Sequence, residues 1–472
     1  MRLRITLLLL FLATAASAAI APIAYRHRTL ANGLEVYSIE DHATPTVSIE
    51  VAYRVGSKDD PPHRSGFAHL FEHLMFKSTA HMKAEMMDRL TEDVGGENNA
   101  STGDDMTIYY ETIPSNYLRT LLWAEGDRMS SLNVDEANFK SEREVVKEEF
   151  RTGVLGPPYG LFYYSIDKDS YAKHPYKRPT IGSIEDLDAA TLADVQAFHR
   201  TFYRPDNAVL VVAGDLDSKQ FDAWVDEYLG SIKKPSTPIP RVTAAEPPRA
   251  AEKRFNEHGP NVPLPAIAIT WLIPPASSAD AEPLTLLEAI LGEGESSRLY
   301  QSLIYRQQLV QDVSANADLR ENTGIFAVIA TLASGKKVDA VEKALRAEVK
   351  KVMDEKVTAA ELEKAKNFVV TETLRRRRET NLGKASAIRD AVIYQHDASY
   401  ANRGLDRLEA VTAADVQRVA KKYLGAKDVV ITYTSGAPAS SPAGHAASRR
   451  GRAGTPAAQP AGRRRAESGA SK

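Results

Sequence analysis

The stretch GFAHLFEHLMFKST, residues 66–79, carries His69, Glu72 and His73 inside an otherwise largely apolar run. Read as a helix over roughly residues 65–75, it sets His69 and His73 four positions apart, so both imidazoles leave one face about a turn apart. That spacing lets the two rings reach one ion. Glu72, three residues beyond His69, sits beside the same face, where a carboxylate can take a proton from a water activated by a metal. Two imidazoles need a third protein ligand if a fourth position is to stay open. The order H-x-x-E-H inverts the zincin arrangement and is itself a catalytic signature. A helix that merely exposes two histidines is the alternative that spacing alone leaves open.

The rest of the chain narrows the choice. Its 472 residues, 43% apolar and 26% charged, suit a soluble globular protein of more than one domain. The formal charge of −2 is unevenly spread: outside residues 1–18 and 435–472 there are 51 basic and 61 acidic residues. An acidic body argues against nucleic acid as a partner. At the N-terminus, MRLR, the apolar ITLLLLFLATA and Ala16-Ser17-Ala18 read as a signal peptide, residues 1–18, cleaved after Ala18. The expected destination is periplasmic or extracellular, without membrane contact; a retained anchor is the alternative. The absence of cysteine excludes a lipoprotein and disulfides, and leaves any metal to histidine and carboxylate.

Beyond residue 19 the chain repeats itself. Residues 27–39 and 46–55 alternate apolar and polar positions as half-buried strands do, with Asn32-Gly33 as a turn. ATLADVQAFHRTFYRPDNAVLVVAG (190–214) and VTAADVQRVAKKYLGAKDVVITYTSG (411–436) are each a helix leading into a strand, with Asp194-Val195-Gln196 matching Asp415-Val416-Gln417. TVSIEVAYRVGSKDD and PAIAITWLIPPASSAD correspond in the same way. Such long-period similarity indicates duplication. The Pro- and charge-rich segment 233–263 reads as a linker between domains 19–232 and 264–434, and 435–472 as an unfolded basic tail. One long helix is expected over 359–395, with Arg375–Arg378 as a solvated face.

GFAHLFEHLMFKST resembles the active-site segment of the M16 metallopeptidases, the family of pitrilysin, insulin-degrading enzyme and mitochondrial processing peptidase. GGENNASTGDDMTIYY (95–110), SEREVVKEEFR (141–151) and HPYKRPTIGSIEDL (174–187) extend the likeness across most of residues 28–435. The resemblance implies an α+β fold of two homologous domains, each a largely antiparallel sheet with helices packed on one face. It implies one Zn²⁺ per chain, held by His69, His73 and a glutamate from a segment like ERDVILRE. The resemblance puts that glutamate about 76 residues beyond the second histidine, the distance from His73 to Glu149, and Glu142 lies two helical turns before it on one face, while Glu148 points about 100° away. Glu149 is therefore assigned as ligand and Glu142 as the carboxylate that orients a ligating histidine. Asn99 and Ala100 correspond to an edge strand that pairs with the substrate backbone. Tyr109 and Tyr110 read as the core and surface residues of the next strand.

One departure matters. Single-chain members of the family carry an Arg and a Tyr, seven apart, in a segment like LREKEGLAY, and these stabilise the oxyanion. In LIYRQQLVQ (303–311) those positions hold Ile304 and Gln311, with Arg306 offset by two. The expectation is a zinc endopeptidase acting on short or unstructured peptides, with Glu72 as general base, paired in a heterodimer with an M16-like chain that lacks H-x-x-E-H. The alternatives are a binding or assembly subunit with little turnover of its own, and a membrane-surface protein using the basic tail.

Overall fold

The computed structural model describes residues 20–436; the expected signal peptide and the tail beyond Gly436 lie outside the described residues. Asn32-Gly33 turns the chain between β1 (Arg26–Thr29) and β2 (Glu35–Glu40). With β3 (Thr46–Tyr53), β4 (Glu97–Thr102), β5 (Thr107–Pro114) and β6 (Ala208–Gly214) they form a six-stranded sheet in the order β1-β2-β6-β3-β5-β4. All neighbours are antiparallel except β2 and β6. A second sheet contains β7 (Lys253–Gly259), β8 (Ala266–Ile273), β9 (Val310–Asp318), β10 (Gly324–Leu332) and β11 (Val429–Ser435), in the order β7-β11-β8-β10-β9. Its one parallel pair is β7 with β11.

The two sheets match strand for strand once β1 is set aside, which is the duplication that the paired Asp-Val-Gln segments predict. Those two helices, Leu192–Phe202 and Ala413–Tyr423, even open with the same device. Thr191 with Asp194, and Thr412 with Asp415, exchange reciprocal hydrogen bonds that satisfy the first free amides of each helix.

β7 moves a boundary. It lies inside the segment read as linker, 233–263, yet it is an edge strand of the second sheet. Among the described residues KRFNEHG pairs only with β11, and its one buried residue is Gly259, so it has no apolar alternation to announce it. Ser435, read as the start of the tail, closes β11.

Each sheet packs one face on helices of its own half and receives on its other face a helix from the opposite half. The helix Gly160–Ser170 lays Phe162 and Ile166 against Ala268, Val429 and Ile431 of the second sheet. The helix Asn381–Gln395 lays Ala385, Ile388 and Val392 against Tyr37, Val209 and Val211 of the first. Strands whose alternation predicts one solvated face are therefore buried on both. β3 shows why the sequence misleads: Glu50, on its polar face, is 1% exposed and paired with Arg389 of the exchanged helix at 2.9 Å.

The single helix expected over 359–395 is two, Ala359–Arg377 and Asn381–Gln395. Thr380 caps the second by accepting from the Gly383 amide (2.9 Å), while Arg378 turns inward to donate to Ala401 O (2.6 Å) and Asn402 Oδ1 (3.0 Å). Of Arg375–Arg378 only the first two are exposed. Among the described residues no helix is long and apolar enough to cross a membrane.

Candidate metal centre

The H-x-x-E-H segment forms the helix Phe67–Leu74. Phe67, Leu70, Phe71 and Leu74 recur at helical spacing and are buried in the first core, which turns His69, Glu72 and His73 to the other face. The helix is held at its start. Gly66 adopts φ +95°, where a Cβ would stand 2.9 Å from Ile181 O. Asp60 accepts the Gly66 and Ala68 amides at 2.7 and 2.9 Å. Tyr109 is buried and donates to Phe71 O (3.2 Å), while Tyr110 is only partly covered.

The helix Glu136–Phe150 supplies the carboxylates, capped by Asp135, which accepts from the Asn138 amide. Phe139, Val146 and Phe150 seat it in the protein. Glu149 Oε2 lies 3.5 Å from both His69 Nε2 and His73 Nε2. Glu142, two turns earlier and buried, faces His73 Nδ1 at 3.6 Å and Lys77 Nζ at 3.0 Å. Glu148 points elsewhere, into an exposed pair with Arg151 at 3.0 Å. His69 Nδ1 is buried and has no hydrogen-bond partner among the described residues.

The donor atoms of His69, His73 and Glu149 lie within 4.8 Å of one another, the one such group of three or more found among the described residues. Tetrahedral zinc with bonds of about 2.0–2.1 Å separates its ligand atoms by roughly 3.3–3.4 Å, so the two 3.5 Å separations fit that ion. An all-oxygen cation suits the two nitrogens poorly. Burial, helped by neighbouring His73, pulls the His69 imidazole down to about 4 and keeps it a neutral donor. Burial also opposes charge on His73, but Glu142, Glu149 and Glu72 outweigh it and raise its pKa. Glu142 would be raised by burial, yet its contacts with His73 and Lys77 hold it below the usual range. Burial raises the carboxyl of Glu72, against a hydrogen bond from Thr102.

β4 borders the centre and is the sheet's edge. Asn99 is exposed, and its Oδ1 accepts the Ala100 amide at 2.8 Å, so that outward amide has only a local partner. Thr102, at the strand's end, donates to Glu72 Oε2 at 2.5 Å. Sequence reasoning missed both Thr102 and Asp60. Period-two alternation from Ala100 would have pointed to the first; nothing local marks the second. In the other half, Ile304 packs against the second core, while Arg306 and Gln311 are exposed.

Two family profiles match the chain, and the boundary between them falls before β6, inside the first half. Residues 35–182 match the profile described as "Insulinase (Peptidase family M16)", and residues 189–369 match "Peptidase M16 inactive domain". The zinc protease PqqE of Helicobacter pylori is 35% identical over 343 residues, covering 72% of this chain and 77% of that one. The probable mitochondrial-processing peptidase subunit beta of Arabidopsis thaliana is 24% identical over 415 residues, 86% of this chain and 77% of that one. Among solved structures, a protease from Helicobacter pylori superposes with a TM-score of 0.84 at 29% identity, over 88% of this chain and all of that one (100%). The chain belongs to the M16 family of peptidases.

Proposed function

We propose that this chain is an exported zinc-dependent endopeptidase that hydrolyses short or unstructured peptides. The observation that carries the reading is the convergence of His69, His73 and Glu149 within 4.8 Å, beside Glu72. These three residues would hold one zinc per chain. Zinc bound there supplies a Lewis acid that lowers the pKa of a water in the open position and polarises a carbonyl. Glu72 takes the proton of the attacking water and returns it to the leaving amine. Glu142 fixes the ring of His73. The free edge of β4 at Asn99 and Ala100 takes the peptide as an added strand, because main-chain hydrogen bonds give affinity without demanding a sequence. The basic, apolar and small-residue succession in residues 1–18 supports export.

A second reading is favoured by Ile304 and Gln311. Ile304 has no donor and is committed to packing, and the Gln311 amide, though a donor, carries no charge. The chain would then act as the zinc-bearing half of a heterodimer whose partner, an M16-like chain without H-x-x-E-H, completes the chamber. Elemental analysis should find one zinc per chain, and a chelator should abolish cleavage of an unstructured peptide. Full turnover by a verified monomer or homodimer, unimproved by any partner, would remove the heterodimer; chelator-insensitive cleavage would remove the zinc enzyme.

A further inference from the structure

Along β4, Asn98, Ala100 and Thr102 are partly covered while Glu97, Asn99 and Ser101 are exposed. Period-two alternation thus sends Thr102 to the same face as Ala100, which packs against the first core. There its hydroxyl donates to Glu72 Oε2 at 2.5 Å, and no other side chain hydrogen-bonds that carboxylate among the described residues. A glutamate at a helix surface has several rotamers to choose from, and this bond selects one.

The loop between β4 and β5 holds Thr102 in place. The Ser57 and Lys58 amides donate to Gly103 O (3.1 Å) and Asp104 O (3.2 Å), and Ser57 Oγ donates to Asp104 Oδ1 (2.6 Å). The approach requires Gly56, where a Cβ would stand 2.4 Å from the Asp104 carbonyl carbon. Asp105, 2% exposed, accepts from Lys58 Nζ (2.8 Å), Tyr176 OH (2.5 Å) and the Glu321 amide (3.0 Å). Arg320 pairs with Asp104 at 3.2 Å. Arg320 and Glu321 lie in the connection between β9 and β10, in the half opposite His69, His73 and Glu149.

We propose that Thr102 is a positioning residue for the general base, and that Asp104 and Asp105 fix it to both halves, so that the second half sets the aim of Glu72. The inference rests on the peptidase reading. Because Thr102 faces the helix and not the free edge of β4, it should act on turnover and leave peptide binding alone.

Thr102→Val removes the donor at nearly unchanged volume, and Thr102→Ser keeps it. In the zinc-loaded full chain, with partner if one is needed, the valine variant should lose about 10–100-fold in kcat, the scale of a misplaced catalytic group, with KM, zinc content and thermal midpoint unchanged. The serine variant should recover most of that loss. Calorimetry with a peptidyl hydroxamate, whose hydroxyl engages the same carboxylate, should show weaker binding to the valine variant only. Wild-type kcat in Thr102→Val, a serine variant as impaired as valine, or a loss confined to KM or thermal midpoint would overturn the proposal. A wild type that holds zinc and cleaves nothing overturns the peptidase reading instead, and the hydroxamate comparison then decides Thr102 by itself.

Discussion

The two halves share a strand order and differ in what the helix after their central strand does. After β3, the helix Phe67–Leu74 buries Phe67, Ala68, Leu70, Phe71 and Leu74 and leaves a face with two imidazoles and a carboxylate. After β8, the helix Ala281–Gly292 buries most of its length, including Leu284, Leu286, Leu287, Ile290 and Leu291. The edge strands differ in the same sense. β4 alternates exposed and partly covered residues beside the centre, whereas β9 contributes Val310, Val313 and Ala315 to the second core. Desolvating charged or imidazole groups costs stability unless a partner or ion compensates. In the first half that cost falls on His69 and Glu72, whereas in the second the buried Glu282 of the corresponding helix is already compensated by Arg407 at 2.9 Å.

Replacing the base tests this division most severely. Glu72→Gln keeps the volume and removes the proton acceptor, so hydrolysis should fall by about 10²–10⁴-fold while zinc and thermal midpoint hold. Comparable turnover in that variant would show that Glu72 is not the base. Next comes the ligand. Glu149→Gln should release zinc to a competing chelator, and Glu148→Gln, which loses only an exposed pair with Arg151, should retain it. The opposite order would place the ligand one residue earlier.

The mirror experiment belongs to the second half. Leu287 is fully buried in the helix that corresponds to the H-x-x-E-H one. Leu287→Ala should cost about 2–5 kcal/mol of stability through lost contacts and a residual cavity. Zinc stoichiometry and kcat per folded molecule should not change below the new midpoint. If that variant instead lost zinc while keeping its midpoint, the two halves would not divide the labour in this way.

How much of this was legible in the sequence depends on how local each signal is. His69, Glu72 and His73 lie within one helical turn and a half, and Glu142 and Glu149 within two turns of another helix, so helical geometry groups each set, while the M16 resemblance is what joins the two. The duplication shows through the Asp-Val-Gln helices because capping fixes the Asp, burial in the core fixes the Val, and Gln196 and Gln417 each donate to a backbone carbonyl, Val134 O and Met353 O. The exchanged helices were not legible. Glu50 and Arg389 stand 339 residues apart, and only their meeting turns an apparently solvated strand face into a buried one. β7 escaped for the opposite reason, since an edge strand with a polar sequence has no pattern to betray it.

The smallest effect concerns how the H-x-x-E-H helix is held, and it has a pH signature. Asp60 is 3% exposed and accepts the Gly66 and Ala68 amides, the first donors of the helix Phe67–Leu74. A carboxylate at a helix start is favoured by those amides, but burial outweighs them here and pushes its pKa up to about 7. The sign comes from linkage. An unfolded aspartate releases its proton near pH 3.9, so between about 3.9 and 7 the folded state binds a proton that the unfolded state lacks. Asp60 therefore makes stability fall as pH rises through that window. Asp60→Ala should lower stability by about 0.5–2 kcal/mol, the usual cost of losing a cap, and most at the acid end. Asp60→Asn keeps one acceptor and cannot ionise, so it should lose less and flatten the thermal midpoint between pH 4 and 7 relative to wild type. The second half offers the control: Asp280, at the start of the matching helix Ala281–Gly292, is held down to about 2 by Tyr423, Lys422 and Arg418 despite its burial. Its contribution has the opposite sign, present above pH 3.9 and lost as pH falls toward 2. Asp280→Asn should accordingly leave the slope between pH 4 and 7 in place. An equal flattening by both variants would mean that neither aspartate is the source of the slope.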